Sequence, residues 1–251
     1  TGLVGNIAIP KQTGAATAYW VAESGSPTES QQAFGQVTMS PKTVGAYTDI
    51  SRRLILQSSM DVEGMVQTDL ATVLGLAIQQ AAISGSGSSN QPSGILTQVS
   101  PSVVGSTDGA APTWANLIEL ETDVAVANAD VGTLGYLTNA KVRGKLKGTP
   151  KVSGQDTFIW EGGDFPVNGY QVGITNAVPS NLTKGSGNNL SAIIFGDFSS
   201  LIVGMWGSLD LMVDPYSNST SGTVRVVALQ DVDIALRHAE SFATMVDAVT
   251  A

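Results

Sequence analysis

The residues able to do chemistry in this chain are few and far apart. The single histidine, His238, stands beside Glu240 and close to Ser241, the residue types of a Ser–His–acid site. Such a site needs its three groups to converge in space, and neighbouring residues on a strand point to opposite faces. A packed or exposed strand histidine is the simpler reading. Asp231 and Asp233 fall on one strand face and offer hard oxygen ligands to a cation, with a solvated strand edge as the simpler account. The run Gly85-Ser-Gly-Ser-Ser-Asn90 has the look of a phosphate cradle. It follows a helix instead of opening one, and the phosphate-binding lysine is missing, so a helix cap with a loop is expected. Asn181-Leu-Thr183, Asn189-Leu-Ser191 and Asn218-Ser-Thr220 match glycosylation acceptors and are read as exposed loops. Trp20, Trp114, Trp160 and Trp206 are too scattered for a base-stacking platform; chance and core packing account for them. No catalytic, cofactor-binding or metal-ligating residue is assigned, and the expectation is a protein that is not an enzyme.

Composition narrows the class further. At 251 residues, 42% of them hydrophobic, the chain has ample length to bury a core. Only 13% of residues are charged and 28 are glycine, which suggests surface buried against other subunits. Twelve basic against 21 acidic residues give a net charge of −9. Sequence-independent grip on nucleic acid needs clustered Lys and Arg, and the basic residues are read as unclustered. Without cysteine there are neither disulfides nor thiolate metal sites, in keeping with a reducing cytoplasm or indifference to redox state. No apolar run approaches the length of a membrane span. The start, TGLVGNIAIP, has neither a basic leader nor an initiator Met, and is read as trimmed or processed.

Around these residues the elements can be placed by periodicity. The organising stretch is a long helix over 61–82, on which Val62, Val66, Leu70, Val73, Leu74, Ala77, Ile78 and Ala81 recur at three- and four-residue spacing. Its Val66–Ile78 face is expected to be core, so that Val73→Asp abolishes folding. Ser58 with Asp61 fits a helix start, and Gly85 and Gly87 a left-handed cap. Before it, strands near 16–22 and through Val37, Met39, Val44 and Ala46 flank a polar tip at 23–32, with Pro41 as an interruption. After it, a loop at 99–112 marks a boundary. Thr113 caps a helix to about Asn128, 133–138 is a strand, and Asn139 caps the short helix AKVRGKLKG, whose basic residues suit its later turns. A loop or hairpin at 151–164, a strand at 169–174, a Gly/Asn/Lys loop at 181–190 and a buried strand at 191–195 follow. Beyond the apolar stretch LIVGMWGSLDLMVD come a polar loop at 215–222 and two strands, 223–229 and 232–237.

The order of these features resembles the tailed-phage major capsid proteins of the Hong Kong 97 fold, across nearly the whole chain. The residues that carry it are Ala18-Tyr-Trp-Val-Ala-Glu23, Phe34-Gly-Gln-Val-Thr-Met39, Pro41-Lys-Thr-Val-Gly-Ala-Tyr47 and Ile50-Ser-Arg-Arg-Leu54. Downstream, Ala81-Ala-Ile-Ser-Gly-Ser-Gly87, Gln91-Pro-Ser-Gly-Ile-Leu96, Leu134-Gly-Tyr-Leu-Thr-Asn139, Gly169-Tyr-Gln-Val172 and Ile194-Phe-Gly-Asp-Phe198 continue it.

The resemblance implies a mixed α+β fold. A peripheral domain would comprise 1–104 and 222–251, with an extended loop at 18–50 and a spine helix at 61–82. An axial domain would span 105–221. It implies self-assembly through hexamers and pentamers into an icosahedral shell that encloses double-stranded DNA without sequence-specific binding, with portal, scaffold or protease proteins as assembly partners and no membrane. The site would be the virion, after assembly in the bacterial host cytoplasm. The extended loop would lie over an adjacent subunit, through Glu23, Phe34, Val37, Met39 and Lys42. Some relatives cross-link a loop lysine to a neighbour's asparagine. Here 23–35 has no lysine and 223–229 no asparagine, so no cross-link is expected. Without an upstream arm, the isolated chain is expected not to assemble. An encapsulin-like nanocompartment subunit is the alternative, and a hydrolase with an unrecognised site is a more distant one.

Overall fold

The computed structural model describes residues 2–57 and 62–250. It holds three sheets and one long helix. The hairpin pairs β1 (Ile7–Gly14) antiparallel with β2 (Ala33–Met39), Ile7 facing Met39. Its outgoing arm therefore lies before the expected 16–22, and residues 15–32 form an irregular tip. Pro41 separates β2 from β3 (Lys42–Ser51), which belongs to a different sheet. A residue that cannot donate to a ladder suits the point where the chain leaves one sheet for another.

That second sheet has the order β3-β9-β8, with β8 at Leu201–Asp214 and β9 at Thr223–Leu236. The two closing strands expected here are one continuous strand, β9, paired with all of β3 from Lys42↔Val232 to Ser51↔Thr223. The irregularity sits in β8 instead, a register shift between Trp206 and Asp210 containing Gly207 at φ +73°. Glycine takes that left-handed backbone without a Cβ clash.

A short helix, α1 (Arg52–Gln57), precedes the long one, α2 (Val62–Ser84). At 1.5 Å per residue α2 is about 34 Å long. Its expected start at Ser58 and Asp61 lies outside the described residues. The four-residue ridge Val62, Val66, Leu70 and Leu74 packs on Ile50 of β3 and on Val226 and Ala228 of β9. Val73 does not share that ridge: it is 46% exposed, whereas Leu74 is 3% exposed. The buried stripe is thus narrower than the periodicity implied, because a sheet receives one ridge of the helix.

The C-terminal turns reach further. Ala81 and Ala82 meet Ile234, and Ile83 joins Ile95, Val99, Val178, Ile194 and Phe242. At the helix end, Gly85 is not in the left-handed region. Its reason is proximity: a Cβ there would stand 2.2 Å from the Pro92 carbonyl oxygen, where Gly94 N–H donates to Gly85 O at 2.9 Å.

The third sheet has the order β10-β7-β4-β5, with β6 pairing β7. It comprises β4 (Leu134–Thr138), β5 (Gln171–Ile174), β6 (Leu182–Lys184), β7 (Gly187–Asp197) and β10 (Phe242–Val249). The expected loop at 181–190 is therefore largely a tight hairpin of β6 and β7. A single helical turn, α3 (Ile95–Gln98), which the periodicity did not indicate, links α2 to this sheet. On one sheet face lie α4 (Trp114–Val126) and α5 (Ala140–Gly148), sharing a core of Leu117, Leu120, Val124, Val142, Leu146, Ile193, Phe195 and Met245. Thr113 caps α4 in a reciprocal box with Asn116, and Asn139 caps α5 through Val142 N–H at 2.9 Å, both at the expected residues. The sheets do not divide at 105 and 222. β8 pairs with the next strand, β9, across residue 222, and the terminal β10 pairs with β7, the latter a pairing between distant segments that periodicity does not encode.

Candidate subunit-contact surfaces

The hairpin is anchored at its base and bare at its end. Met39 is 2% exposed and packs with Trp206 and Ala235, beside Ile7, Ile9 and Val37. Trp206 Nε1–H donates to Gly5 O at 2.7 Å. Asp233 receives Ser40 N–H at 2.9 Å and Lys42 Nζ at 3.0 Å. From residue 15 to residue 29 every residue is exposed, and Tyr19, Trp20 and Val21 carry the apolar area, with Trp20 fully in solvent. Two bonds between Thr17 and the Ser30 hydroxyl, at 2.9 and 3.1 Å, hold the sides of the tip together.

The five residues expected to touch a neighbour thus separate into two groups. Glu23 and Phe34 are exposed and Val37 is half-buried. Met39 and Lys42 have partners within their own chain: one fills the core under the hairpin and the other neutralises the buried Asp233. Trp20 was read as a packed or chance tryptophan and is instead the most prominent apolar group of the tip. A large aromatic in a stretch of small and polar residues was the available signal. The one lysine of the hairpin arms, Lys11, lies opposite Gly35.

The remaining chemistry-bearing residues do not converge. His238 is exposed, whereas Ser241 is buried and donates its backbone N–H to His238 O. Asp231 accepts from the Thr43 hydroxyl while Asp233 serves Ser40 and Lys42, so each carboxylate is satisfied by protein. The 85–94 loop turns its groups on itself, Ser86 N–H and Oγ both donating to Gln91 Oε1 at 3.1 and 2.9 Å. With β3 and α2 it walls a cleft of about 570 Å³. Of the three acceptor-like motifs, two depart from an exposed loop: Leu182 and Thr183 lie in β6, and Ser191 is buried inside β7.

Three polar clusters escaped the sequence because their members are far apart in the chain. Arg225 holds Asp49 in a bidentate pair at 2.8 and 2.9 Å and lies over the Tyr47 ring, 4.6 Å from its centroid. Its guanidinium keeps the Asp49 carboxyl below the usual carboxylate range. Buried Asp247 accepts Gly105 N–H and Lys184 Nζ, the latter at 2.6 Å, fastening β10 to β6 and to the segment before α4. Glu121 accepts from Asn168 and from Tyr170 Oη, the latter at 2.8 Å; the carboxylate and then burial raise the Tyr170 pKa. Tyr136, raised further chiefly by burial, donates to Leu117 O at 2.8 Å.

This architecture has close counterparts. Over 98% of its length the chain superposes on a capsid chain of a native GTA particle, with a TM-score of 0.78, 20% identity and 86% of that chain covered. A chain from Gordonia phage Cozz gives 0.73 at 15% identity, covering 99% of this chain and 84% of that one. In sequence, the major capsid protein of Halomonas phage phiHAP-1 is 32% identical over 96% of this chain, which spans 38% of that protein. The major capsid protein of Klebsiella oxytoca phage phiKO2 is 26% identical over 94% of this chain, which spans 58% of it. Neither is a nanocompartment subunit. Residues 1–247 match the phage capsid family, and with the Hong Kong 97-type architecture in place, the chain belongs to that family.

Proposed function

We propose that this chain is the shell-forming region of a phage major capsid protein, assembling with copies of itself into hexamers and pentamers of a closed head around double-stranded DNA. The observation that carries this is the hairpin tip, where Tyr19, Trp20 and Val21 project from a firmly anchored base with nothing of their own chain to cover them. Hydrophobic area held in water by an ordered hairpin is a contact awaiting a partner. Glu23 and Phe34 add exposed surface beside the tip, and Val37, half-buried at the base, offers the part of its side chain that its own chain leaves open. The outer side of α2 adds Met65, Val73 and Leu76, all exposed, and a helix apolar on both sides is one that assembly covers.

The role is structural and not catalytic. The units act as a peripheral part, built of hairpin, α2 and β3-β9-β8, and an axial part built on β10-β7-β4-β5. Portal, scaffold and protease proteins are its partners during assembly in the host cytoplasm, and the virion is its destination. With no lysine in the tip, the shell carries no covalent ladder on denaturing electrophoresis.

Electron microscopy of the full-length protein tests the reading. Closed shells are expected from the wild type, and folded but unassembled protein from Trp20→Ser. Protein that stays monomeric at high concentration, or Trp20→Ser shells equal to wild type in yield, would overturn it.

A further inference from the structure

The two helices that share one face of the five-stranded sheet carry opposite charge. α5 holds Lys141, Arg143, Lys145 and Lys147 and no acidic residue, so four of the twelve basic residues lie within nine positions of an otherwise acidic chain. The basic residues are therefore clustered locally, contrary to the expectation from overall composition. α4 holds Glu119, Glu121 and Asp123 and no basic residue. Among the described residues no ion pair joins the two helices: the four pairs are Lys42–Asp233, Lys151–Glu161, Lys184–Asp247 and Arg225–Asp49.

Steric features accompany the charges. On α5, Lys141, Gly144, Lys145 and Gly148 fall on one stripe at three- and four-residue spacing. Both glycines are exposed, and a Cβ at either would meet nothing within 4 Å. Gly144, in the helix interior, weakens it by about 1 kcal/mol relative to alanine, and Gly148 is its last residue. On α4, Glu119 and Asp123 share their side with Val126, which is 75% exposed, beside Ile118.

We propose that α5 of one copy docks against α4 of the next, head to tail, around the axis of each capsomer; this rests on the shell reading above. The pairing is heterologous, joining two different patches, and such contacts form rings where the rotation between copies closes, as it does in a hexamer or pentamer. Copies bearing −9 each repel on average. A basic helix meeting an acidic one reverses the sign locally, and α4-to-α4 or α5-to-α5 pairing is repelled. The glycines let a second helix approach closely, which a phosphate backbone gripped by long lysines does not require. That requirement, with the exposed Val126 and Ile118, favours a second copy of this chain over nucleic acid as the occupant.

Charge reversal in the full-length protein tests the contact. Lys141→Glu with Lys145→Glu, and separately Glu119→Lys with Asp123→Lys, are each expected to keep a wild-type melting transition and to cut the yield of rings and shells by about tenfold or more, since like charges then face each other. Combining all four substitutions restores complementarity and with it assembly. Four-fold variants no better than either pair would overturn the contact, as would wild-type shells indifferent to both pairs. So would a Lys141/Lys145 reversal that left assembly intact and lowered only the DNA held by particles, which would make nucleic acid the occupant. Wild-type protein forming no oligomer at all would overturn the shell reading, and this contact with it.

Discussion

Phe195 and Trp20 are both large aromatic side chains, yet the first is fully buried and the second stands wholly in solvent. Phe195 lies 4.5 Å from the Tyr136 ring and 5.1 Å from the Tyr170 ring, centroid to centroid, inside the core under α4 and α5. Trp20 belongs to a hairpin whose only core is at its base. A two-stranded ribbon cannot bury both sides of itself, so its end acquires a hydrophobic environment from another molecule or not at all. The difference separates residues that fold the chain from residues that join chains, and substitutions should separate along the same line.

The largest effect is expected within α2, where both kinds of position are adjacent. Leu74→Asp places an unpaired charge between helix and sheet and should abolish cooperative thermal unfolding. Val73→Asp, one residue away, should melt cooperatively within about 1 kcal/mol of wild type, and a failure to fold would return Val73 to the core. The aromatic pair comes next. By denaturant unfolding, Phe195→Ala should cost about 3–5 kcal/mol, whereas Trp20→Ala should change the monomer by no more than about 0.5 kcal/mol.

Tyr136→Phe removes the hydroxyl from the buried side alone and leaves the Leu117 carbonyl without its donor, a cost of about 1–2 kcal/mol. It also has a signature in pH. Tyr136 and Tyr170 have folded pKa values raised above the unfolded one, so their contribution is complete below about pH 10 and is lost as pH rises toward the folded values. Alkaline titration of stability should show a shallower loss in Tyr136→Phe than in wild type. The smallest effect belongs to the exposed carboxylates. Asp49, Asp108 and Asp214 are depressed by Arg225, by Ser186 N–H and by Ser217 respectively. Their contribution is present above about pH 4 and disappears as pH falls through the depressed values. Asp49→Asn should shift the acid midpoint slightly and leave neutral stability almost unchanged.

Much of the local structure was legible because it depends on neighbours in sequence. Thr113 and Asn139 announce helix starts through bonds to residues three positions on, and the spacing of Val62, Val66, Leu70 and Leu74 announces a helix with an apolar ridge. The hairpin was legible as an object but displaced, since the arms are defined by which residues pair, and Ile7 pairs with Met39 across the whole tip. The candidate contacts fared according to the same rule. Met39 and Lys42 look like any other strand residues until Trp206 and Asp233 arrive beside them from more than 160 residues away.

By itself, then, the sequence determined where helices begin, that one of them is long, and that the one histidine sits in a strand-like context beside Glu240 and Ser241, all consequences of short-range spacing and residue type. Only the tertiary structure decided that Val73 faces outward, that β3 pairs with β9 and β10 with β7, that Met39 and Lys42 meet Trp206 and Asp233, and that Trp20 is left uncovered. Each of these depends on what a distant segment brings alongside, and a period of 3.6 or 2 residues carries no information about that.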